Sequence, residues 1–486
     1  MDSQGMVFAR CARRLVPLIA VLYFVNYVDR VNVGFAALTM NRDMGFSPAV
    51  YGLGASLFFG GYLLFQIPAN LVLERVGARR WIFSIMAVWG ALSMATAFMQ
   101  GPLSFYVLRF LLGVAEAGFF PGMVLYLTYW FPQSYRARFV AAFMTAIPLA
   151  FVIGAPLSGF LLQMEGALSL HGWQWLFVIE GMPAFVLSLI VLRFLPDRPA
   201  TASWLTDDEK SRISHQLAHE SAALPRAFWP ALLDPRVLAL GIIYFGINFG
   251  RYGVELWLPQ IVQGVGFSNL TTTFIVAVPY GAGIGAMIFW GLRSDRKGER
   301  AWHVALPCLA AGMGCTLAGI LHNDLLVLAS LGAVVVSLLA VQGPFFSLPS
   351  SYLSGTAVAG GIGLINMLGT GMGGLLGPSI MGYLKEHTGG YDSGMAVIAL
   401  GLFVSSGVVL LTARMRKAPS FAVIVSTVPA RAAFSSFCIF IASTTSTPCP
   451  ASTASPAATR MRTTLPGIGL ESVCTPSLVA APDLRE

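Results

Sequence analysis

The chain has 486 residues, 56% hydrophobic and only 11% charged, with a formal net charge of +8 and a mean hydropathy of +0.72. Soluble domains carry roughly 25% charged residues, so this composition excludes a water-soluble globular protein and specifies a polytopic membrane protein. The positive balance does not describe a nucleic-acid surface, because the basic residues are scattered through short polar breaks instead of forming one patch.

In chain order, a short basic start (Arg10, Arg13, Arg14) leads into an apolar run over residues 15–37. At ~1.5 Å per residue this run crosses a ~30 Å hydrocarbon core as a helix. It is too long for a signal-peptide core and lacks a cleavage site, so it is expected to remain as the first span. Within it stands Tyr27-Val28-Asp29-Arg30-Val31-Asn32, an acid and a base side by side. An ionised group at that depth costs at least ~2.5 to 3.5 kcal/mol, so Asp29 and Arg30 are candidates for function. The plainer reading is an internal ion pair that fixes helix packing. Further apolar runs cover 50–73, 81–99, 103–128, 139–164 and 175–195, and after a polar stretch 237–258, 272–292, 304–321, 325–346, 356–384 and 395–413. The expected class is an all-α membrane protein with twelve transmembrane helices in two six-helix halves. Its divisions are 1–195, a linker 196–235, a second half 236–417, and a low-complexity tail 418–486 rich in Ser, Thr, Pro and Ala, expected to be disordered.

An even number of spans puts both termini on one side, and the positive-inside rule makes that side cytoplasmic. Arg75, Arg79, Arg80, Arg136, Arg138, Arg293, Arg296, Lys297, Arg300, Arg414, Arg416 and Lys417 all fall on it. In the linker, Thr206-Asp207-Asp208-Glu209 is a capping box that predicts a short helix to residue 220. His215 and His219 share a face at i, i+4, but two ligands without a third partner read as a solvated face. The six cysteines (Cys11, Cys308, Cys315, Cys438, Cys449, Cys474) have neither metal-ligand nor disulfide-framework spacing. The glycine runs at 154–159 and 369–377 precede no Gly-Lys-Ser, so a phosphate loop is rejected.

Two loops repeat. Asn70-x-x-x-Glu74-Arg75-x-Gly77-x-Arg79-Arg80 follows the second span, and Gly291-x-x-x-Asp295-Arg296-x-Gly298-x-Arg300 follows the eighth. In each, an acid can meet a helix end or an arginine while a glycine permits the bend. This signature resembles the gating loops of the major facilitator superfamily, with Asn70 where glycine is usual. Tyr27 to Gly34, Val76-Gly77-Ala78-Arg79-Arg80-Trp81, Arg109-Phe110-Leu111-Leu112-Gly113-Val114-Ala115-Glu116-Ala117-Gly118, Trp257-Leu258-Pro259-Gln260 and Gly360-Gly361-Ile362-Gly363-Leu364-Ile365-Asn366 resemble its anion:cation symporter family. The run from His171 to Phe177 with Glu180-Gly181 looks like the tartrate and 4-hydroxyphenylacetate permease branch. The resemblance implies two parallel six-helix halves built from inverted repeats.

Residue counts place Asp29, Arg109 and Arg251 each ~21 Å from the inner membrane edge, so their cationic and acidic heads share one level. Forked guanidinium donors match a carboxylate bidentately, which points to an acid as ligand. The resemblance makes Arg30 and Arg109 substrate-carboxylate arginines, Asp29 and Glu116 proton-coupling acids, and Tyr27, Tyr62 and Asn366 cavity-lining residues. Arg251 is a further candidate, with an i, i+4 salt bridge to Glu255 as its plainer reading. Burial and a neighbouring arginine act on a carboxyl in opposite directions, so an arginine that moves can switch an acid. Arg109 and Glu116 lie two turns apart on one face, with Gly113 between them leaving room for a ligand or a neighbouring helix. The expected function is proton-driven import of a small organic anion, a tartrate-like hydroxy acid or an aromatic carboxylate, by alternating access. An exchanger of organic acids is the alternative, and sodium would use the same acids. A monomer in the bilayer of the inner (plasma) membrane is expected, with no nucleic acid, cofactor, metal or enzymatic constellation.

Overall fold

Helix ends echo the sequence repeat. The second and eighth spans are each 29 residues long, Pro48–Val76 and Asn269–Lys297. Ser47 caps the first by accepting from Val50 N–H, and Ser268 caps the second by accepting from Thr271 N–H. Such a hydroxyl satisfies one of the orphan donors at a helix start. Both end on a glycine at positive φ, Gly77 at 91° and Gly298 at 63°, a conformation in which a β-carbon is strained. The two loops share a positive-φ glycine at the same offset but differ in its ψ, 151° at Gly77 and 14° at Gly298.

The computed structural model describes residues 3–132, 135, 139, 144–221, 235–352 and 357–416. The tail 418–486, Arg136, Arg138 and Lys417 lie outside the described residues, as do the side chains of Glu74, His219 and Arg416. The amino-terminal half consists of α1 (Ser3–Asp43), α2 (Pro48–Val76), α3 (Ala78–Thr96), α4 (Pro102–Glu116) continued by α5 (Phe119–Trp130), α6 (Ala146–Leu161) and α7 (Gly172–Phe194). The linker contributes α8 (Asp207–Ser221). The second half consists of α9 (Pro235–Glu255), the short α10 (Leu258–Gly264), α11 (Asn269–Lys297), α12 (Ala301–Ile320), α13 (Asp324–Ala340) continued by α14 (Gln342–Tyr352), α15 (Ala357–Asn366) joined through a π-turn (Met367–Met372) to α16 (Gly373–Thr388), and α17 (Asp392–Arg416). These form twelve helical columns, with no strand among the described residues. Eight are long and apolar enough to cross a membrane by length and composition. The other four are α1 with its buried charges, α3 starting on Arg79 and Arg80, the shorter α6, and the α15–α16 column broken by its π-turn.

The helix α1 begins at Ser3, about three turns ahead of the apolar run that starts at residue 15. Its extra turns dock on the linker. Arg10 pairs with Glu209 at 3.0 Å, and Arg14 lies 5.1 Å from the ring of Trp204, which stacks on Trp130. The expected capping box is present: Thr206 N–H donates to Glu209 and Glu209 N–H to Thr206 Oγ1. In the first repeated loop the acid that meets the helix start is Asp197, which accepts from Arg79 N–H at 2.8 Å. In the second, Arg300 pairs with Asp295.

Small residues set the distances between helices. A β-carbon on Gly113 would lie 1.8 Å from Phe58 O, and one on Gly61 2.2 Å from Phe110 O, so these two glycines let the α2 and α4 backbones touch. The space expected beside Gly113 is therefore filled by a neighbouring helix. The halves meet most closely at the end away from the linker. There a β-carbon on Gly52 would lie 2.6 Å from Pro378 O. Tyr51 Oη donates to Leu256 O at 2.7 Å, and Gln263 Nε2 to Leu38 O at 3.2 Å. Glu386 accepts from both Ser47 Oγ and Ala49 N–H at 2.7 Å, so a carboxylate of one half caps a helix of the other. Deeper in, Phe151 stacks on Tyr280 with ring centroids 3.7 Å apart, and Phe59 packs on Tyr252 at 4.3 Å.

Candidate functional site

Tyr27 and Arg30 are i, i+3 on α1 and share the face directed at the bundle centre, while Asp29 is turned about 100° away. Arg30 is 5% exposed; its Nη2 donates to Glu116 Oε2 at 3.0 Å, and Asn26 Nδ2 donates to the same oxygen at 2.8 Å. Asn26 and Arg30 are one turn apart, so α1 grips the last residue of α4 with two donors. The Arg30 guanidinium also lies 5.3 Å from the ring centres of Phe58 and Tyr62 and 5.8 Å from Tyr27. Aromatic faces stabilise a dehydrated cation without neutralising it.

Arg109 differs. It is 1% exposed and lies 5.1 Å from the same Phe58 ring, yet Nε, Nη1 and Nη2 have no hydrogen-bond partner among the described residues. Burying a cation without a partner is costly, and removing a neutralising group from a buried ion is more costly still. Arg30 Nε and Glu116 Oε1 are likewise unpaired. Two guanidinium groups thus each lie against one phenyl ring, with one of the two already committed to a carboxylate.

Across the centre, Tyr27 Oη lies 3.2 Å from both carboxylate oxygens of Glu255, and Arg251 Nη2 donates to Tyr27 Oη. Arg251 Nε is 3.5 Å from Glu255 Oε2, so the i, i+4 salt bridge and the link to the first half coexist. Asn366 ends α15 just before the π-turn and accepts from Thr370 Oγ1 at 3.0 Å. π-turns concentrate at functional sites, but the described contacts do not bring Asn366 to the arginines. Asp29 faces α3: Ser93 Oγ donates to it at 2.7 Å, Trp89 Nε1 at 3.0 Å and Asn32 Nδ2 at 3.3 Å. Arg30 therefore meets Glu116 rather than its chain neighbour.

The structure adds Asn26, Phe58, Trp89 and Ser93 to the expected set. Each lies one turn from a residue it assists or shares a partner with, Asn26 with Arg30, Phe58 with Tyr62, Trp89 with Ser93. A polar or aromatic pair at i, i+4 inside an apolar run is the signal that finds them. Three potential metal-ligating groups cluster among the described residues, Asp43, Glu165 and His171, exposed at the end away from the linker. They serve one another: His171 Nδ1 is 2.7 Å from Glu165, and Gly172 N–H, donating to Glu165, is the main reason that carboxyl is held below its usual range.

The family model for the Major Facilitator Superfamily matches residues 19–378. The chain belongs to the major facilitator superfamily. It is similar to a "Putative tartrate transporter" of Agrobacterium vitis, 46% identical over 416 residues that cover 85% of this chain and 92% of that one. It is also similar to a quinolone resistance transporter of Acinetobacter baumannii, 40% identical over 82% of this chain and 93% of that one. Among solved structures, a bacterial homolog of the human lysosomal transporter Spinster, described as inward-facing and occupied, superposes with a TM-score of 0.68 at 16% identity, covering 82% of this chain and 96% of the other. That likeness shows the fold. This superfamily member is a multi-pass membrane transporter, not an enzyme.

Proposed function

We propose that this superfamily member imports a small organic anion by proton symport with alternating access. The observation that carries the reading is the bare guanidinium of Arg109 beside the Arg30–Glu116 pair. A carboxylate arriving between the arginines gives Arg109 the bidentate partner it lacks. The same carboxylate competes with Glu116 for Arg30. Protonation of Glu116 releases Arg30 to the ligand, so anion and proton enter together by an exchange of partners on one cation. Tyr27, Tyr62 and Asn366 are proposed to orient the ligand, Arg251 to sense it from the second half, and Asp29 to carry a proton deeper in the first. The tartrate transporter relative favours a hydroxy acid as the class of ligand. The close approach at the end away from the linker supports a conformation sealed there, with the linker, both termini and the arginine-rich loops on the cytoplasmic side of an inner membrane. Glu74, Arg75, Gly77, Arg79, Asp295, Arg296, Gly298 and Arg300 are proposed to gate the cytoplasmic end. The proposed divisions remain 1–195, 196–235, 236–417 and 418–486.

Exchange of one organic acid for another is the second reading, favoured by the same arginine. An empty carrier that reorients must carry Arg109 unpaired through a dry core, whereas a loaded one does not. Proteoliposomes separate the two. Under symport, an imposed inward proton gradient drives accumulation of labelled tartrate or a related acid, and Glu116→Gln retains exchange while losing that accumulation. Full gradient-driven accumulation by Glu116→Gln overturns the role given to Glu116, and uptake that requires internal acid in the wild type selects exchange.

A further inference from the structure

Of the buried acids, Glu180 has no part in the partner exchange at Arg30 and no role in the proposed function. Glu180, on α7, is 3% exposed. It makes no ion pair among the described residues, and its Oε2 has no hydrogen-bond partner. Its Oε1 lies 2.7 Å from Ser158 Oγ on α6, and that hydroxyl is also 2.9 Å from Gly154 O, one turn back on its own helix. A serine hydroxyl owns one hydrogen. Two oxygen partners at these lengths are each served by a full, unshared hydrogen bond only if a second hydrogen is present. With Ser158 donating to Gly154 O, as helical serines do, the second hydrogen must come from Glu180. A bare carboxylate here, with one oxygen unpaired and no cation in contact, would bear the desolvation cost without compensation.

The surroundings give this proton a place in the molecule. Gly181, next along α7, lies against Ser93, where a β-carbon would approach Ser93 Oγ to 2.9 Å, and Ser93 is the residue that donates to Asp29. On the other side, Ser158 precedes Gly159, whose close approach to Thr273 joins α6 to the second half. The titratable and polar groups around Glu180 are thus Ser158 on α6 and, across Gly181, Ser93 on α3 with its partner Asp29 on α1. A polar seam runs from Asp29 through Ser93 and Gly181 to Glu180 and Ser158, behind the arginines.

We propose that Glu180 is a further proton-binding site of the first half, a neutral carboxylic acid in this conformation whose hydrogen bond to Ser158 ties α6, a helix that contacts the second half, to α7. The proton sits on Glu180 Oε1 and points at Ser158 Oγ, and Asp29, which receives three donors, occupies the same seam as the acceptor member. This assignment describes the resting protein and stands apart from the symport reading.

The test is infrared spectroscopy of the full chain in lipid, without substrate, at neutral pH. The wild type minus Glu180→Gln difference is expected to show a carboxylic-acid carbonyl band that the variant lacks. The glutamine amide also donates to Ser158, so the variant folds with an unchanged thermal midpoint. Ser158→Ala is expected to move the same band to higher frequency, because the acid loses its acceptor. A difference spectrum with only carboxylate bands overturns the assignment, as does a band that Ser158→Ala leaves in place; the second measurement decides even if Glu180→Gln does not fold. Loss of proton-driven uptake with these spectra intact overturns the symport reading alone.

Discussion

At the residue scale, Arg109 is the feature that matters most, because a buried cation without a partner is a cost to the fold, one that the proposed ligand would offset. Replacing it with an apolar side chain of similar length should therefore separate stability from function. Arg109→Met is expected to raise the thermal midpoint of the empty protein while abolishing the upward shift that an organic acid produces. Arg109→Lys keeps the charge but loses the fork, and a lost charge-assisted hydrogen bond of ~1.5 to 3 kcal/mol weakens binding by about 10- to 150-fold. A thermal-shift titration reads both; a midpoint that falls in Arg109→Met with ligand shifts preserved would refute the assignment. Counting along the helices puts Asp29, Arg109 and Arg251 at one level, and Arg251 and Arg30 do both reach Tyr27. Facing was not legible: depth follows from rise per residue, but which neighbour a side chain meets depends on where α2, α3 and α4 lie around α1. Asp29 meets Ser93 and Trp89 on one side and Arg30 meets Glu116 on the other, a division no single helix encodes.

At the element scale, α2 and α16 close the end away from the linker through backbone approach at Gly52 and the carboxylate cap of Glu386 on the start of α2. The Ser47 hydroxyl and then the Ala49 N–H hold the Glu386 carboxyl below its usual range. A depressed carboxyl contributes its stabilisation above the ordinary carboxylate range and loses it as pH falls through its own lower value. Acidification should thus loosen this end, and Glu386→Gln should loosen it at every pH and flatten the dependence. Spin-label distances between α2 and α16 check this, and a pH-independent wild-type distance would count against it. The loop bends were legible because glycine acts locally, Gly77 and Gly298 turning the chain without reference to the rest of it, whereas the Ser47 and Ser268 caps came from the structure. The close approaches at Gly52 and Gly61 were not legible, since a glycine is a contact only once its partner helix is known; at Gly113 a neighbouring helix was one of two expected occupants, and α2 is there.

At the scale of the whole molecule, alternating access requires the sealed end to part in every cycle. Cysteines at Ser47 and Glu386 joined by a short reducible reagent should stop uptake, and reduction should restore it; undiminished uptake by the joined protein would mean that this end stays closed throughout. The twelve-column plan was legible from the span count and the repeated loops. The docking of the α1 start on α8 was not, because Arg10 and Arg14 read only as positive charge until Glu209 and Trp204 are folded against them. That docking has a mechanical corollary. With Arg10 tied to Glu209 and Arg14 set against Trp204, any turn of the first half carries α8 along with it, so the linker helix travels as ballast of that half.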